Sequence, residues 1–280
     1  MALSLWQCGR FALALDRPLV MGILNATPDS FSDGGRYFAR DAALRHAEQM
    51  IAAGVDILDI GGESTRPGAP PVPVDEELER VIPLVDALRD AGVALSIDTY
   101  KPAVMREALE HGADAINDVW AFRMPGAIEA VAGSGCGLCA MHMIGDPLTM
   151  QTDPASAYDD VVEDVRRFLA GRVAQFEDAG IERARITVDP GFGFGKTVEQ
   201  NYRLLAHLAI IAPAGMALLA GVSRKSMLGA VTGKPAPERV SASLAGAVCA
   251  VERGAAIVRV HDVGETVDAL RVWQAVRNAA

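Results

Sequence analysis

Short apolar runs recur along the chain, each followed by a longer stretch in which apolar residues return every three or four positions. The runs are residues 19–24, 57–60, 94–97, 115–116 continuing into Asn117, 138–141, 186–188, 217–222 and 257–260. Eight strand-like runs alternating with helical stretches predict an α/β fold closed into a (β/α)8 TIM barrel. Asp75 is expected to cap a helix with Leu78, Val81, Ile82, Val85 and Leu88 on one face and Gly92 past its end. Pro102 suits a first helical turn, and Ser226 with Met227 starts another helix. Further helices are expected over 41–53, 158–179, 197–208, 239–253 and 265–276. No linker interrupts this alternation, so residues 1–280 read as one barrel domain, with the proline-rich patch 67–73 as a loop within it.

Composition narrows the class. Half of the residues are apolar and 5% aromatic, as tightly packed strands and helices require. A formal net charge of −10 works against sequence-independent nucleic-acid binding, which needs clustered cations. Residues 1–15 carry no basic leader, and the most apolar window, 204–222, is broken by His207, Pro213 and Gly215. A cytoplasmic protein with neither secretory signal nor membrane span is therefore expected. Cys136 and Cys139 are close enough for a redox or metal reading, but they lie in an apolar strand without a second ligand pair, and read as core.

Polar residues collect where the strands end. Asn25 closes the first run, Glu63 to Arg66 follow the second, and Asp98 and Asn117-Asp118 follow the third and fourth. His142, Asp189, Ser223-Arg224-Lys225, and Arg259 with His261 continue the series. Helix capping accounts for single Asn, Asp or Ser residues at such places. It gives no reason for Lys225, Arg259 and His261 to join carboxylates at one rim, whereas a site at the C-terminal mouth of a barrel does. The loops 25–35 and 61–68 are polar and exceed the usual connection of about 2–6 residues, as binding loops do.

The glycine run 189–197 lacks the glycine five residues before Gly195, where Pro190 stands, so it is not a phosphate-binding P-loop. It reads as a flexible floor that lets backbone approach a flat ligand, with Phe192 or Phe194 available for stacking.

Taken together, several segments resemble the dihydropteroate synthase family of pterin-binding TIM barrels. They are 21–35, with Asn25-Ala-Thr-Pro-Asp-Ser-Phe-Ser-Asp-Gly-Gly35, then 59–68, with Asp59-Ile-Gly-Gly-Glu-Ser-Thr-Arg-Pro-Gly68, and 96–99, 116–118, 141–143, 189–196, 221–226 and 259–261. They span almost the whole chain in the family's order.

The resemblance implies a transferase of folate biosynthesis. It joins (7,8-dihydropterin-6-yl)methyl diphosphate to 4-aminobenzoate, giving 7,8-dihydropteroate and diphosphate. Asp189 and Asn117 resemble the partners of the pterin's aminopyrimidinone edge, which suits a carboxylate and an amide. Lys225 resembles the lysine at the pterin carbonyl, and Asp98 the carboxylate near the reacting carbon, where an anion steadies developing positive charge. By the same resemblance Asp98, Lys225 and Arg66 are the catalytic set, and Asn25, Arg259 and His261 bind the diphosphate. Asn25 is also the implied Mg2+ ligand. Thr65, Arg66, Pro67, Phe194 and Ser223 are implied to surround 4-aminobenzoate. Sulfonamide binding and a homodimer follow from the resemblance alone.

Two other readings use the same fold: a pterin-dependent corrinoid methyltransferase barrel, and a paralogue that binds pterin without turnover. The two long loops and an aminobenzoate pocket have no use in the first. Retention of Asn25, Arg66, Asp98, Lys225, Arg259 and His261 speaks against the second. His142 reads as a scaffold residue of the mouth rather than a base, and His46, His111 and His207 as solvent-facing helix residues. Loops 25–35 and 61–68 are expected to order around diphosphate.

Overall fold

The computed structural model describes residues 4–26, 36–65, 69–145 and 154–279. It opens with an antiparallel hairpin, β1 (Leu5–Cys8) and β2 (Phe11–Ala14). Eight parallel strands then close a barrel: β3 (Leu19–Asn25), β4 (Ile57–Gly61), β5 (Ala94–Asp98), β6 (Ala115–Asp118), β7 (Gly137–Met141), β8 (Ile186–Asp189), β9 (Ala217–Ala220) and β10 (Ile257–Val260), with β10 pairing back to β3. The helices are α1 (Arg36–Ala53), α2 (Val74–Leu88), α3 (Pro102–Glu110), α4 (Ala127–Ala132), α5 (Val161–Asp178), α6 (Val198–Ala206), α7 (Ser226–Thr232), α8 (Val240–Glu252) and α9 (Val263–Asn278). This is the expected (β/α)8 barrel.

Each barrel strand is buried on both faces, which is why the strands read as continuous apolar runs. The outward side chains, such as Leu58, Ile60, Leu95, Ile97, Ile116, Leu138 and Val188, pack into one core with the surrounding helices. The inward ones form a second, smaller core from Leu19, Met21, Ile57, Ala94, Ala115, Cys139, Leu219 and Ile257. Above it the inward positions turn polar. Cross-strand register puts Asn25 beside Gly61, Gly61 beside Asp98, and Asp98 beside Asn117, one row around the mouth.

The hairpin had no counterpart among the expected elements. It brings Trp6, fully buried, to the barrel floor, where its indole Nε1 donates to the Arg185 carbonyl at 2.9 Å. Gly137 makes room for it, since a Cβ there would lie 2.7 Å from the Trp6 ring. Arg10 ties the hairpin to the barrel through a 2.8 Å ion pair with buried Asp114, which also accepts from the Leu95 amide.

Several boundaries differ from expectation. Asp75 does not cap α2: Pro73 holds that place without a side-chain bond, and Asp75, Glu76 and Glu77 fill the first turn, where the helix dipole favours anions. β9 ends at Ala220, two residues early, since its pairing with β8 and β10 stops at Leu218 and Ala220. Thr197 and Gln200 form a capping box that starts α6, and Asp160 caps α5. Among the described residues, no helix is long and apolar enough to cross a membrane.

Candidate active site

The strand ends converge on one charged cluster. Asp98, at the inward-facing end of β5, is 6% exposed; its Oδ2 accepts from Arg259 Nη2 at 2.7 Å, and its buried Oδ1 has no hydrogen-bond partner among the described residues. Burial pushes the Asp98 carboxyl up to about 7 against the pull of the Arg259 cation, with repulsion from Asp59 adding to the rise. Arg259 reaches down from β10 and also donates from Nε to Asp59 Oδ2 at 2.6 Å. Two carboxylates thus share one guanidinium, whose own pKa the Asp59 and Asp98 charges raise despite burial.

Asp59 is a site residue that strand-end reasoning missed. It lies one pleat below the rim, fully buried, and accepts from Ser96 Oγ at 2.6 Å and Asn117 Nδ2 at 3.0 Å as well as from Arg259. An ionised carboxylate only accepts, so it fixes the amide of Asn117 with its nitrogen toward Asp59 and leaves the carbonyl oxygen as the group to meet a ligand N–H. The available signal was the polar letter two positions before Gly61, and likewise Ser96 two before Asp98, inside otherwise apolar runs.

On the opposite side, Asp189 ends β8 at 4% exposure; burial raises its carboxyl pKa while Lys225, the Gly191 amide and more distant cations oppose the rise. Its Oδ1 accepts from the Gly191 amide at 2.7 Å. Lys225 donates to the Phe192 carbonyl, and its Nζ sits 4.8 Å from the centre of the Phe194 ring. Burial lowers the Lys225 ammonium to about 8, with Asp189 opposing. Gly221 stands where these groups meet: a Cβ there would lie 3.8 Å from Lys225 Nζ and 3.9 Å from Asp189 Oδ2, taking space in front of them. Ser223 Oγ and His261 Nδ1 are 3.0 Å apart, and the His261 amide donates to Ser223 Oγ.

The glycine run is not a flexible floor. Gly191, Gly193 and Gly195 all adopt positive φ, and a Cβ on Gly191 would lie 1.9 Å from the His142 carbonyl oxygen. Buried Lys196 pins the loop by donating to the carbonyls of Gly191 at 2.9 Å and Phe194 at 3.0 Å, and its Nζ is 3.0 Å from His142 Nδ1. Burial lowers the pKa of both Lys196 and His142 well below their usual values, and His142 packs edge-on to Phe168. His142 is thus scaffold. Phe192 is fully buried in the outer core and cannot stack on a ligand; only Phe194 is placed for that. Cys136 and Cys139 are free and buried, with Cys136 Sγ beside Ser134 and Arg185.

Of the other expected residues, Asn25 and Thr65 are half-buried at the mouth, while Arg66, Pro67 and residues 27–35 lie outside the described residues. The expectation that the two loops order around diphosphate falls largely on those residues. A divalent cation fits Asn25 as a single hard oxygen donor: a Cβ on Gly61 would lie 3.8 Å from Asn25 Oδ1 and 3.9 Å from Asp98 Oδ2, so the glycine keeps open the space between them. Among the described residues no group of three or more His, Cys, Asp or Glu is arranged to hold a metal ion.

An α/β barrel whose mouth gathers carboxylates, an amide and cations in one cluster belongs to a definite class. Residues 21–261 match the family described as pterin binding enzyme, and the chain belongs to that family. Its relatives are dihydropteroate synthases. The Escherichia coli K12 protein is 51% identical over 269 residues, covering 96% of this chain and 95% of its own. The Burkholderia cenocepacia dihydropteroate synthase, solved with 7,8-dihydropteroate, is 64% identical with a TM-score of 0.91, covering 100% of this chain and 98% of the other. The Xanthomonas albilineans enzyme, solved with 4-aminobenzoic acid, is 51% identical with a TM-score of 0.92, covering 98% of both chains.

Proposed function

We propose that this chain catalyses the dihydropteroate synthase reaction, condensing (7,8-dihydropterin-6-yl)methyl diphosphate with 4-aminobenzoate to 7,8-dihydropteroate and diphosphate. The observation that carries the reading is the convergence of Asp98, Asn117, Asp189, Lys225 and Arg259 at one barrel mouth, with Asp98 Oδ1 buried and without a partner among the described residues. Asp189 accepts from the pterin's adjacent N–H groups, the Asn117 carbonyl oxygen takes another, and Lys225 donates to the pterin carbonyl. The methylene C–O bond breaks with its electron pair leaving on diphosphate, the amine nitrogen forms the new C–N bond, and the amine gives up a proton. Asp98, as an anion in a site of low dielectric, steadies the positive charge that spreads from the methylene into the dihydropterin. No covalent protein nucleophile is needed, so a dissociative path is favoured.

Arg259 and His261 bind the diphosphate. Because Arg259 Nε and Nη2 are held by Asp59 and Asp98, that role pairs the diphosphate with a guanidinium fixed in place beforehand. Asn25 would hold Mg2+ through its amide oxygen, and the ion would supply charge neutralisation of the leaving group. Thr65, Arg66, Pro67, Phe194 and Ser223 would surround 4-aminobenzoate, and sulfonamides, as its mimics, would compete there. One barrel domain, a homodimer and a cytoplasmic location complete the reading.

The deciding experiment follows Mg2+-dependent diphosphate release with and without 4-aminobenzoate. Release that needs both substrates and collapses in Lys225→Ala supports the reading. Pterin binding without turnover would instead leave a non-enzymatic paralogue, and diphosphate release that continues undiminished in the presence of a chelator would remove the magnesium role.

A further inference from the structure

Outside the pterin pocket, three more buried charges meet at one point. Lys101, just after β5, is 7% exposed; Glu63, just after β4, is 8% exposed; and Glu77, in the first turn of α2, is 1% exposed. Lys101 Nζ donates to Glu63 Oε2 at 2.6 Å, to Glu77 Oε2 at 2.5 Å and to the Val72 carbonyl at 2.5 Å. Glu63 Oε2 also accepts from the Val72 amide at 2.9 Å, and Glu63 Oε1 from the Tyr100 hydroxyl at 2.9 Å. Arg80 Nη1 adds a bond to the Gly62 carbonyl at 2.7 Å.

Burying two carboxylates and an ammonium is costly, and hydrophobic residues of similar volume would pack as stably. The cluster therefore calls for a reason beyond stability. Its geometry supplies one: Glu63 begins and Val72 ends the second rim segment, and Lys101 grips both. The grip originates three residues beyond Asp98, just past the strand that ends in the carboxylate assigned to the reacting carbon. Thr65 lies two residues past the held end.

We infer that Glu63, Lys101, Glu77 and Tyr100 form a positioning clamp that fixes both described ends of the segment after β4, and so sets the aminobenzoate side of the site relative to Asp98. This rests on the proposed function, because it takes Thr65 to face 4-aminobenzoate. None of the four residues touches the reacting atoms; they act through the segment they hold. The direct grip of the clamp is on the segment after β4: no bond runs from it to Asn117, Asp189 or Lys225 among the described contacts, and its link to Asp98 is only the more distant charge of Glu77.

The test measures KM for each substrate, kcat, and amide hydrogen exchange at Val72 in the intact enzyme, for Lys101→Met and Tyr100→Phe. Lys101→Met removes bonds from a charged donor, so KM for 4-aminobenzoate should rise at least about tenfold, with KM for the pterin diphosphate within about threefold of wild type. Val72 exchange should quicken. Tyr100→Phe removes one neutral donor and should raise the aminobenzoate KM by about threefold, without loss of fold. A folded Lys101→Met whose two KM values rise together, or stay put, overturns the clamp. If Lys101→Met does not fold, Tyr100→Phe with unchanged aminobenzoate KM and unchanged Val72 exchange overturns it. A wild-type protein that binds pterin but never uses 4-aminobenzoate would sink the functional reading instead. Val72 exchange would still report on the clamp.

Discussion

Arg259 Nη2 and Asp98 Oδ2, 2.7 Å apart, join the last barrel strand to the third across the open mouth. The bond places the cation assigned to the leaving group against the carboxylate assigned to the electron-deficient carbon. On the proposed reaction, charge separation during C–O cleavage would develop between two groups already held at fixed distance, which is how a preorganised site lowers a barrier without reorganising.

Asp59 is what keeps that pair in place. Asp59→Ala would strip acceptors from Ser96, Asn117 and Arg259 at once, leaving a buried cation short of one partner. Breaking such a pair costs about 3–5 kcal/mol, to be read by urea denaturation. Asp59→Asn keeps the shape but turns an N–H toward Arg259 or Asn117. Calorimetric titration with pterin should show affinity weakened about tenfold in that variant; a folded Asp59→Asn that binds pterin normally would rule out the orienting role.

The pH profile follows from two shifted groups. Asp98 must lose its proton to act as an anion, and burial has raised its pKa to about 7, so kcat/KM should climb as pH passes about 7. Lys225 must keep its proton to donate, and burial has lowered it to about 8, so activity should fall as pH passes about 8. Lys225→Arg should lose the falling limb, since a guanidinium stays charged beyond pH ~12. Stability runs differently. The folded chain holds protons on Asp98 and Asp118, the latter also raised to about 7 by burial, that the unfolded chain releases from near 3.8 upward. Their contribution is complete at low pH and is lost as pH rises through about 7. Asp118→Asn should flatten that stability slope and, by removing one of the neighbouring charges that raise Asp98, move the climb of the rate profile to slightly lower pH without abolishing it; a rate profile without the climb in wild type would exclude Asp98 as the titrating group.

How much of this was legible in the chain depended on which face a residue presents. Strands buried on both sides announced themselves as apolar runs, and the rim residues Asn25, Asp98, Asn117, Asp189, Lys225 and Arg259 stood out because they lie at or near the C-terminal ends of those runs. Asp59 and Ser96 did not, because a parallel strand with two apolar faces hides its alternation and only an isolated polar letter betrays the inner one. Phe192 and Phe194 looked equivalent, yet the left-handed Gly191 and Gly193 turn one into the core and the other toward Lys225. The floor hairpin escaped notice because its two strands are only four residues each, and β2 alternates between half-buried and exposed positions.

Gly191 and Gly180 offer a controlled comparison. Both have positive φ, +69° and +79°, but only Gly191 would press a Cβ onto backbone, 1.9 Å from the His142 oxygen, whereas Gly180 has nothing within 4 Å. Gly180→Ala should therefore cost only the conformational term of about 1–2 kcal/mol. Gly191→Ala must also displace the loop whose amide holds Asp189, and should lower the melting temperature by at least about 6 °C and weaken pterin binding. Equal melting temperatures for the two variants would show that the loop yields freely.

Trp6 separates stability from catalysis. Its ring fills the floor of the barrel against Gly137, and its Nε1 satisfies the Arg185 carbonyl, so Trp6→Ala leaves both a cavity and an unpaired buried acceptor. Large-to-small changes of this kind cost about 3–5 kcal/mol, and the urea midpoint should fall accordingly. The reacting groups sit above Met21, Ile57, Ala94 and Ala115, an apolar layer that lies between them and the plug. Both KM values should therefore stay within about twofold of wild type under conditions where the variant is folded, because barrel stability resides at the floor and chemistry at the strand C-termini. A KM for either substrate that moved with the loss of Trp6 would mean that the floor and the mouth are mechanically coupled through the inner layers.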